Sequence, residues 1–219
     1  MQQLRLPKNT VLHSELEIKR SRFIAVVART NTVPAARELL AELRSEYPDA
    51  RHHCSAYAIS TAGAHDVLNS SDDGEPSGTA GRPMLDVLTG NNLIDISAVV
   101  VRYFGGTLLG TGGLVRAYSD AVRYALSGAP LVRQERYARY RISAPHTLAG
   151  KLEADLRARD YEILAVNYRA TDVTVDVAVA EPDIFLAELA QLTAGTITAT
   201  TAGEVMNEVP AGHLPEVVQ

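Results

Sequence analysis

The chain has 219 residues, 46% apolar and 21% charged, with a formal net charge of −5. That length holds one large or two small domains with a buried core, and the composition is that of a soluble globular protein rather than a disordered one. No apolar run approaches the length that crosses a bilayer, the first residues lack the apolar segment of a secretory signal, and the single cysteine, Cys54, excludes an internal disulfide, so a cytoplasmic location is expected.

Charge is unevenly spread. Residues 1–134 carry 14 basic and 13 acidic side chains (+1), and residues 135–219 carry 7 and 13 (−6). An acidic surface repels a phosphate backbone, so a polyanionic partner is expected to meet the first part only.

Residues 11–29 hold two strand-like runs around Lys19-Arg20-Ser21-Arg22. Over 34–47 the stripe Ala36, Leu39, Leu40, Leu43 and Tyr47 predicts a helix, with Pro34 near its start and Pro48 ending it. Residues 52–60 read as a strand, and 71–81, rich in Gly, Pro and acids, as a loop. Pro83 opens a short helix with Met84, Leu85 and Leu88 inward and Gly90 as its stop. The strand at 94–104 is apolar on both faces through Ala98–Val101, which predicts a central place in a sheet.

Five glycines, Gly105, Gly106, Gly110, Gly112 and Gly113, separate that strand from a helix that runs to about residue 126 and buries Leu114, Tyr118, Ala121, Val122 and Ala125. A strand feeding a glycine turn and then a helix start presents N–H groups without partners, which suit an anion. Arg102 closes the strand, and Arg116 sits early in the helix, where positive charge opposes the macrodipole. An anion or a nearby carboxylate would relieve both. No Gly-Lys-Ser/Thr follows and G-x-G-x-x-G does not fit, so anion binding and a tight structural turn both stay open.

After Gly128-Ala129-Pro130 the pattern reads strand (137–144), helix (146–159), strand (161–169), strand (171–180), helix (182–192), strand (196–205): the βαββαβ order of a ferredoxin-like domain. The expected divisions are 1–134, 135–206 and a mobile tail over 207–219, with a hinge near 127–137.

Among chemistry-bearing residues, Asp72, Asp73 and Glu75 do not follow the ligand alternation of a calcium loop. They are expected to pair with the arginines near the glycine turn or to face water; a catalytic set is the alternative. On a strand His52 and Cys54 face one way and His53 the other, so the three cannot converge on one metal, and Cys54 reads as a buried structural residue. No metal and no cofactor are expected. Tyr137, Arg139 and Arg141 share a strand face that can stack on bases or, at a sheet edge, simply add solubilising charge.

Two long blocks, SDDGEPSGTAGRPML (Ser71–Leu85) and VVVRYFGGTLLGTGGLVRAY (Val99–Tyr118), with the lesser block His53-Cys54-Ser55-Ala56-Tyr57, resemble the signatures of the YigZ/IMPACT family over residues of about 15–130. Arg82 stands where many relatives have lysine, and Leu109 where some do. The resemblance implies an α/β (α+β) protein: an N-terminal α/β sandwich like domain 2 of ribosomal protein S5, and a ferredoxin-like C-terminal domain like the last domain of elongation factor G. IMPACT proteins are translational regulators, which implies a non-catalytic, translation-linked protein binding RNA, the ribosome or a ribosome-associated protein. Its binding surface would be Arg102, Tyr103, Gly105, Gly106, Gly110, Gly112, Gly113 and Arg116, with Arg82 alongside. The alternative is an enzyme or binding protein for a phosphate-containing small molecule, with Asp72, Asp73 or Glu75 as acid/base and the same turn as phosphate cradle.

Overall fold

The computed structural model describes residues 2–61 and 63–217. These divide into two compact units, one made of residues up to 133 together with 210–217, the other of 134–209.

The first unit begins with β1 (Leu4–Arg5), β2 (Val11–Ile18) and β3 (Ser21–Arg29). Lys19 and Arg20, both at positive φ (48° and 64°), make the two-residue turn between β2 and β3. That is the backbone hand that matches strand twist, here adopted without glycine. Thr32 caps α1 (Val33–Glu46), its side chain accepting from the Ala35 N–H. Next come β4 (His52–Ile59), β5 (Val67–Ser71), α2 (Gly81–Gly90), β6 (Ile96–Tyr103) and α3 (Thr111–Ala125). Five strands form one antiparallel sheet in the order β2-β3-β6-β4-β5. β6 is the middle strand, as its two-faced apolar pattern predicts.

Alternation along the strands sorts the side chains. Phe23, Ala25 and Val27, Cys54, Ala56 and Ala58, and Ile96, Ala98 and Val100 pack beneath α2 and α3. Their neighbours Ile24, Val26, Val99 and Val101 pack with Leu43 of α1 on the other face. The result is an α/β sandwich with its larger apolar core under α2 and α3. β5 escapes the sequence pattern because Val-Leu-Asn-Ser-Ser is short and only half apolar, and all but one of its residues are exposed.

The second unit is built from β7 (Pro130–Ala144), α4 (His146–Arg157), β8 (Glu162–Tyr168), β9 (Val173–Val179), α5 (Pro182–Leu192) and β10 (Ala199–His213). Its sheet runs β10-β7-β9-β8, the ferredoxin-like order. Val173, Val175, Val177 and Val179 meet Leu152 and Leu156 of α4 and Phe185 and Leu189 of α5 on one face. On the other face Asp176, 1% exposed, is held between Arg139 and Arg141.

Three expectations change. The stretch expected to be a hinge, 127–137, is largely occupied by β7, which starts at Pro130, a residue that needs no ladder donor at the first position of a strand. The tail expected from Asn207 is strand to His213, and beyond it the Leu214 N–H donates to the Ala129 carbonyl at 2.9 Å, returning the chain to the first unit. Arg139 and Arg141 lie on an interior strand and neutralise a buried carboxylate; they are not edge charges. Among the described residues no helix is long and apolar enough to cross a membrane.

Candidate functional site

The acidic loop after β5 is held by its own carboxylates. Asp72 Oδ1 accepts from the N–H groups of Ala80 (3.0 Å) and Gly81 (2.8 Å), and Oδ2 from that of Gly78 (2.7 Å). Ala80 has no side-chain oxygen to cap α2, so Asp72 supplies that anion from eight residues earlier. Partial burial works to raise the Asp72 pKa, but the three N–H donors hold it below the ordinary aspartate value. Asp73, at φ 43°, accepts from the His53 N–H at 2.6 Å and pairs with Arg44 of α1 at 2.7 Å. Glu75 is buried: its Oε1 accepts from Arg102 Nη1 at 2.6 Å and from the Tyr118 hydroxyl at 2.8 Å. Each of the three carboxylates is committed to the fold, so none is a free acid or base.

Beneath them lies the thiol of Cys54, donating to the Asp72 carbonyl at 3.0 Å. Burial pushes its pKa up to about 12, against the pull of a hydrogen bond with Tyr118. It therefore stays protonated at neutral pH, where a nucleophile or a metal ligand must be a thiolate. Burial, the neighbouring thiol and Glu75 push the Tyr118 phenol upward as well. Among the described residues no group of three or more His, Cys, Asp or Glu is placed to hold a metal ion.

The glycine turn is organised differently. Gly105 lies directly on the β2–β3 turn: a Cβ there would collide with the Arg20 carbonyl group, and its N–H donates to Ser21 Oγ at 3.1 Å. Arg102 sits below, 6% exposed, its guanidinium 5.3 Å from the Phe23 ring centre and 5.6 Å from that of Phe104. Phe104 itself is 48% exposed and Leu108 82% exposed. The turn ends at Gly110, whose φ of 74° requires glycine or a strained substitute, and whose carbonyl takes the Leu114 N–H at 2.9 Å. No side chain caps α3, and the N–H groups of Thr111, Gly112 and Gly113 find no partner among the described residues.

Between the acidic loop and the glycine turn opens a cleft of about 420 Å³. Arg51, His52, Arg102 and the Arg102-paired Glu75 contribute its polar groups, Pro76, Phe104, Leu108, Leu109 and Leu114 its apolar wall, and Gly110 and Thr111 bring the start of α3 to its rim. His52 Nδ1 donates to the Asp73 carbonyl at 2.9 Å, which fixes the ring and leaves Nε2 without a partner among the described residues. The cleft can thus take an anion at a helix start and an apolar body against its wall; His52 keeps one ring nitrogen, Nε2, open to it.

The expected surface is partly dispersed. Arg102, Gly110 and Glu75 line the cleft, but Arg102 is paired with Glu75 and so acts first as structure. Tyr103 points to the α1 face, its hydroxyl donating to Asp49 at 2.8 Å, because adjacent strand residues face opposite ways. Arg82 pairs with Asp86 one helical turn on, at the surface. Arg116 is exposed on α3 beyond the helix start. Gly105 serves close packing, and Gly106 turns the chain at φ 83°. From the sequence, Arg51, Phe104 and Leu108 have no functional reading, and His52 only that of a metal ligand, which strand geometry rejects. The only signal for them was position: the ends of β4 and β6 and the apolar pair inside an otherwise glycine-rich turn.

Residues 19–126 match the family model of the Impact N-terminal domain, and residues 142–196 that of a Domain of unknown function (DUF1949). The IMPACT family member YigZ of Escherichia coli (strain K12) is 43% identical over 183 residues, 83% of this chain and 89% of that protein. The IMPACT family member YvyE of Bacillus subtilis (strain 168) is 41% identical over 155 residues, 70% of each. A solved crystal structure of a hypothetical protein, 40% identical, superposes with a TM-score of 0.60 over 91% of this chain and 97% of that one.

Proposed function

The chain belongs to the IMPACT family, and from that premise we propose that it is a translation-linked regulatory protein whose first unit binds RNA, free or on the ribosome, at the cleft beneath the glycine turn. The observation that carries this reading is the uncapped start of α3: Gly110 and Thr111 line a cleft that also holds Arg51, and the N–H groups of Thr111, Gly112 and Gly113 have no partner among the described residues. The first part of the chain is also the part whose charge balance tolerates a polyanion (+1 against −6).

Co-sedimentation of the full chain with ribosomes, and its binding to RNA over a range of salt, test the reading. The logarithm of the binding constant should fall linearly with the logarithm of salt concentration, and Arg116→Ala should flatten that slope by about 0.7 if it contacts a single-stranded phosphate. Binding that ignores salt would point instead to a ribosome-associated protein held by apolar surface, and against RNA.

A second reading has its own support. The cleft's volume of about 420 Å³ and mostly apolar wall are those of a small-molecule site, which fits a phosphate-containing ligand. In that case the acid–base group is His52, since Asp72, Asp73 and Glu75 are all engaged.

A further inference from the structure

The cleft is not shaped for a bare anion. An inorganic phosphate needs only the helix start and a cation; it has no use for Phe104, Leu108 and Leu109 on the opposite wall. A purely apolar ligand, conversely, has no use for three N–H groups without partners and the Arg51 guanidinium. The ligand that uses both ends carries an anion and an apolar body together.

Phe104 narrows the class of that body. The Arg102 guanidinium lies 5.6 Å from its ring centre, and Arg102 is fixed in turn by the ion pair to Glu75 and by Phe23. Phe104 is 48% exposed and lines the cleft. An aliphatic chain would be served by the leucines alone, whereas a ring held in place and half open is a stacking platform for a flat heterocycle. Arg102, 6% exposed, is itself held by Glu75 through Nη1 and by Ser21 through Nη2, so the guanidinium beside Phe104 is fixed from the protein side.

We propose that the cleft binds one nucleotide unit, with the nucleobase laid on Phe104 and the phosphate at the start of α3. This rests on the reading of the cleft as an anion-binding surface and adds the chemistry of what enters it. The unit can be a free nucleoside monophosphate or a single unstacked nucleotide of an RNA strand; base and phosphate are the same in both.

Titration of the full chain with UMP, AMP, inorganic phosphate and a six-nucleotide uridine oligomer separates the possibilities. At least one of the two mononucleotides should saturate at one per chain and bind at least tenfold more tightly than inorganic phosphate. Phe104→Leu, which keeps bulk but removes the plane, should abolish most of that tenfold gain and leave phosphate binding alone; Phe104→Trp should retain it. Gly112→Asp should abolish binding of phosphate and nucleotides alike. A Cβ at Gly112 meets nothing within 4 Å, and an acid near a helix start is favourable, so the melting temperature of this variant should stay at or above that of the parent chain. A hexamer that binds tenfold more tightly than UMP, with a steep salt dependence, identifies RNA as the source; equal affinities identify the free nucleotide.

Two results overturn the proposal in different ways. Nucleotides that bind no better than phosphate, or an affinity indifferent to Phe104→Leu, leave an anion site and remove the nucleobase. RNA binding that survives Gly112→Asp unchanged, or no binding of any of these ligands, removes the anion-binding reading as well.

Discussion

Two helices of the first unit start from glycine-containing turns, and their N-termini are treated in opposite ways. At α2 the N–H groups of Ala80 and Gly81 are filled by the Asp72 carboxylate, delivered from eight residues earlier in the same chain. At α3 no side chain caps the corresponding groups of Thr111, Gly112 and Gly113, and Gly110 and Thr111 line a cleft. The difference teaches where to look for a ligand in a loop of reactive-looking residues. Asp72, Asp73 and Glu75 are the residue types of catalysis, yet each already serves as the internal anion for a donor in the fold. The feature without distinctive side chains, Gly110 to Gly113, is the one left open. Asp72 at α2 is in effect a covalently attached model of what the start of α3 can take from outside.

The contrast breaks most visibly at Arg102. If its first role is structural, Arg102→Ala strands the buried Glu75 with only the Tyr118 hydroxyl, and chemical denaturation should show a loss of about 3–5 kcal/mol. A loss below about 1 kcal/mol, with ligand binding abolished, would return Arg102 to the binding surface. Gly105 and Gly112 sharpen the comparison within the turn itself. Gly105→Ala drives a Cβ into the Arg20 carbonyl and should cost about 1–3 kcal/mol or more, as overpacking does. Gly112→Ala has open space and a helical position, so it should be neutral or stabilise by up to about 1 kcal/mol. Similar losses at both positions would mean that the turn is structural throughout.

Acid titration tests the filled terminus. The native pKa of Asp72 lies below its unfolded value, so its contribution to stability is fully present above about pH 4 and is lost as pH falls through the native pKa. Asp72→Asn should lower stability at pH 7 by about 1–2 kcal/mol, since hydrogen bonds to a charged acceptor are lost, and should narrow the gap to the parent chain below pH 4. In the second unit the hydrogen bond from Arg141, helped by Arg139 and opposed by burial, lowers the Asp176 pKa to about 2. Stability there should fall between about pH 4 and 2, by roughly 1 kcal/mol because both arginines are more than a third exposed. Asp176→Asn should flatten that part of the acid curve.

How much of this was legible in the sequence depended on whether a residue's role is set by its own segment. The helices and most of the strands follow from period and punctuation: the two-faced run Ala98–Val101 marks the middle strand, and the stripe Leu114, Tyr118, Ala121, Val122 and Ala125 the buried side of α3. β5 did not announce itself, because Val67–Ser71 gains its strand character from pairing with β4 rather than from its composition. Nor did the strand character of 207–213, since Pro210 and Gly212 read as a tail until β10 is seen to pair with β7. In the site, the open donors of Gly112 and Gly113 could be read from a glycine turn entering a helix. The partner of Arg102 could be narrowed to the acidic loop, though not to Glu75 alone. Arg51, His52 and Phe104 could not be placed, because what makes them neighbours is the packing of β4 against β6, which brings the ends of two strands about fifty residues apart to one rim.

The most direct measurement follows single backbone amides of ¹⁵N-labelled full chain by NMR as inorganic phosphate is added. The account predicts saturable shifts of the Thr111, Gly112 and Gly113 amides, while those of Gly78, Ala80 and Gly81, already bonded to Asp72, stay in place. Amides of the α3 start that do not move, or that move no more than those of the Asp72-filled terminus, would contradict it.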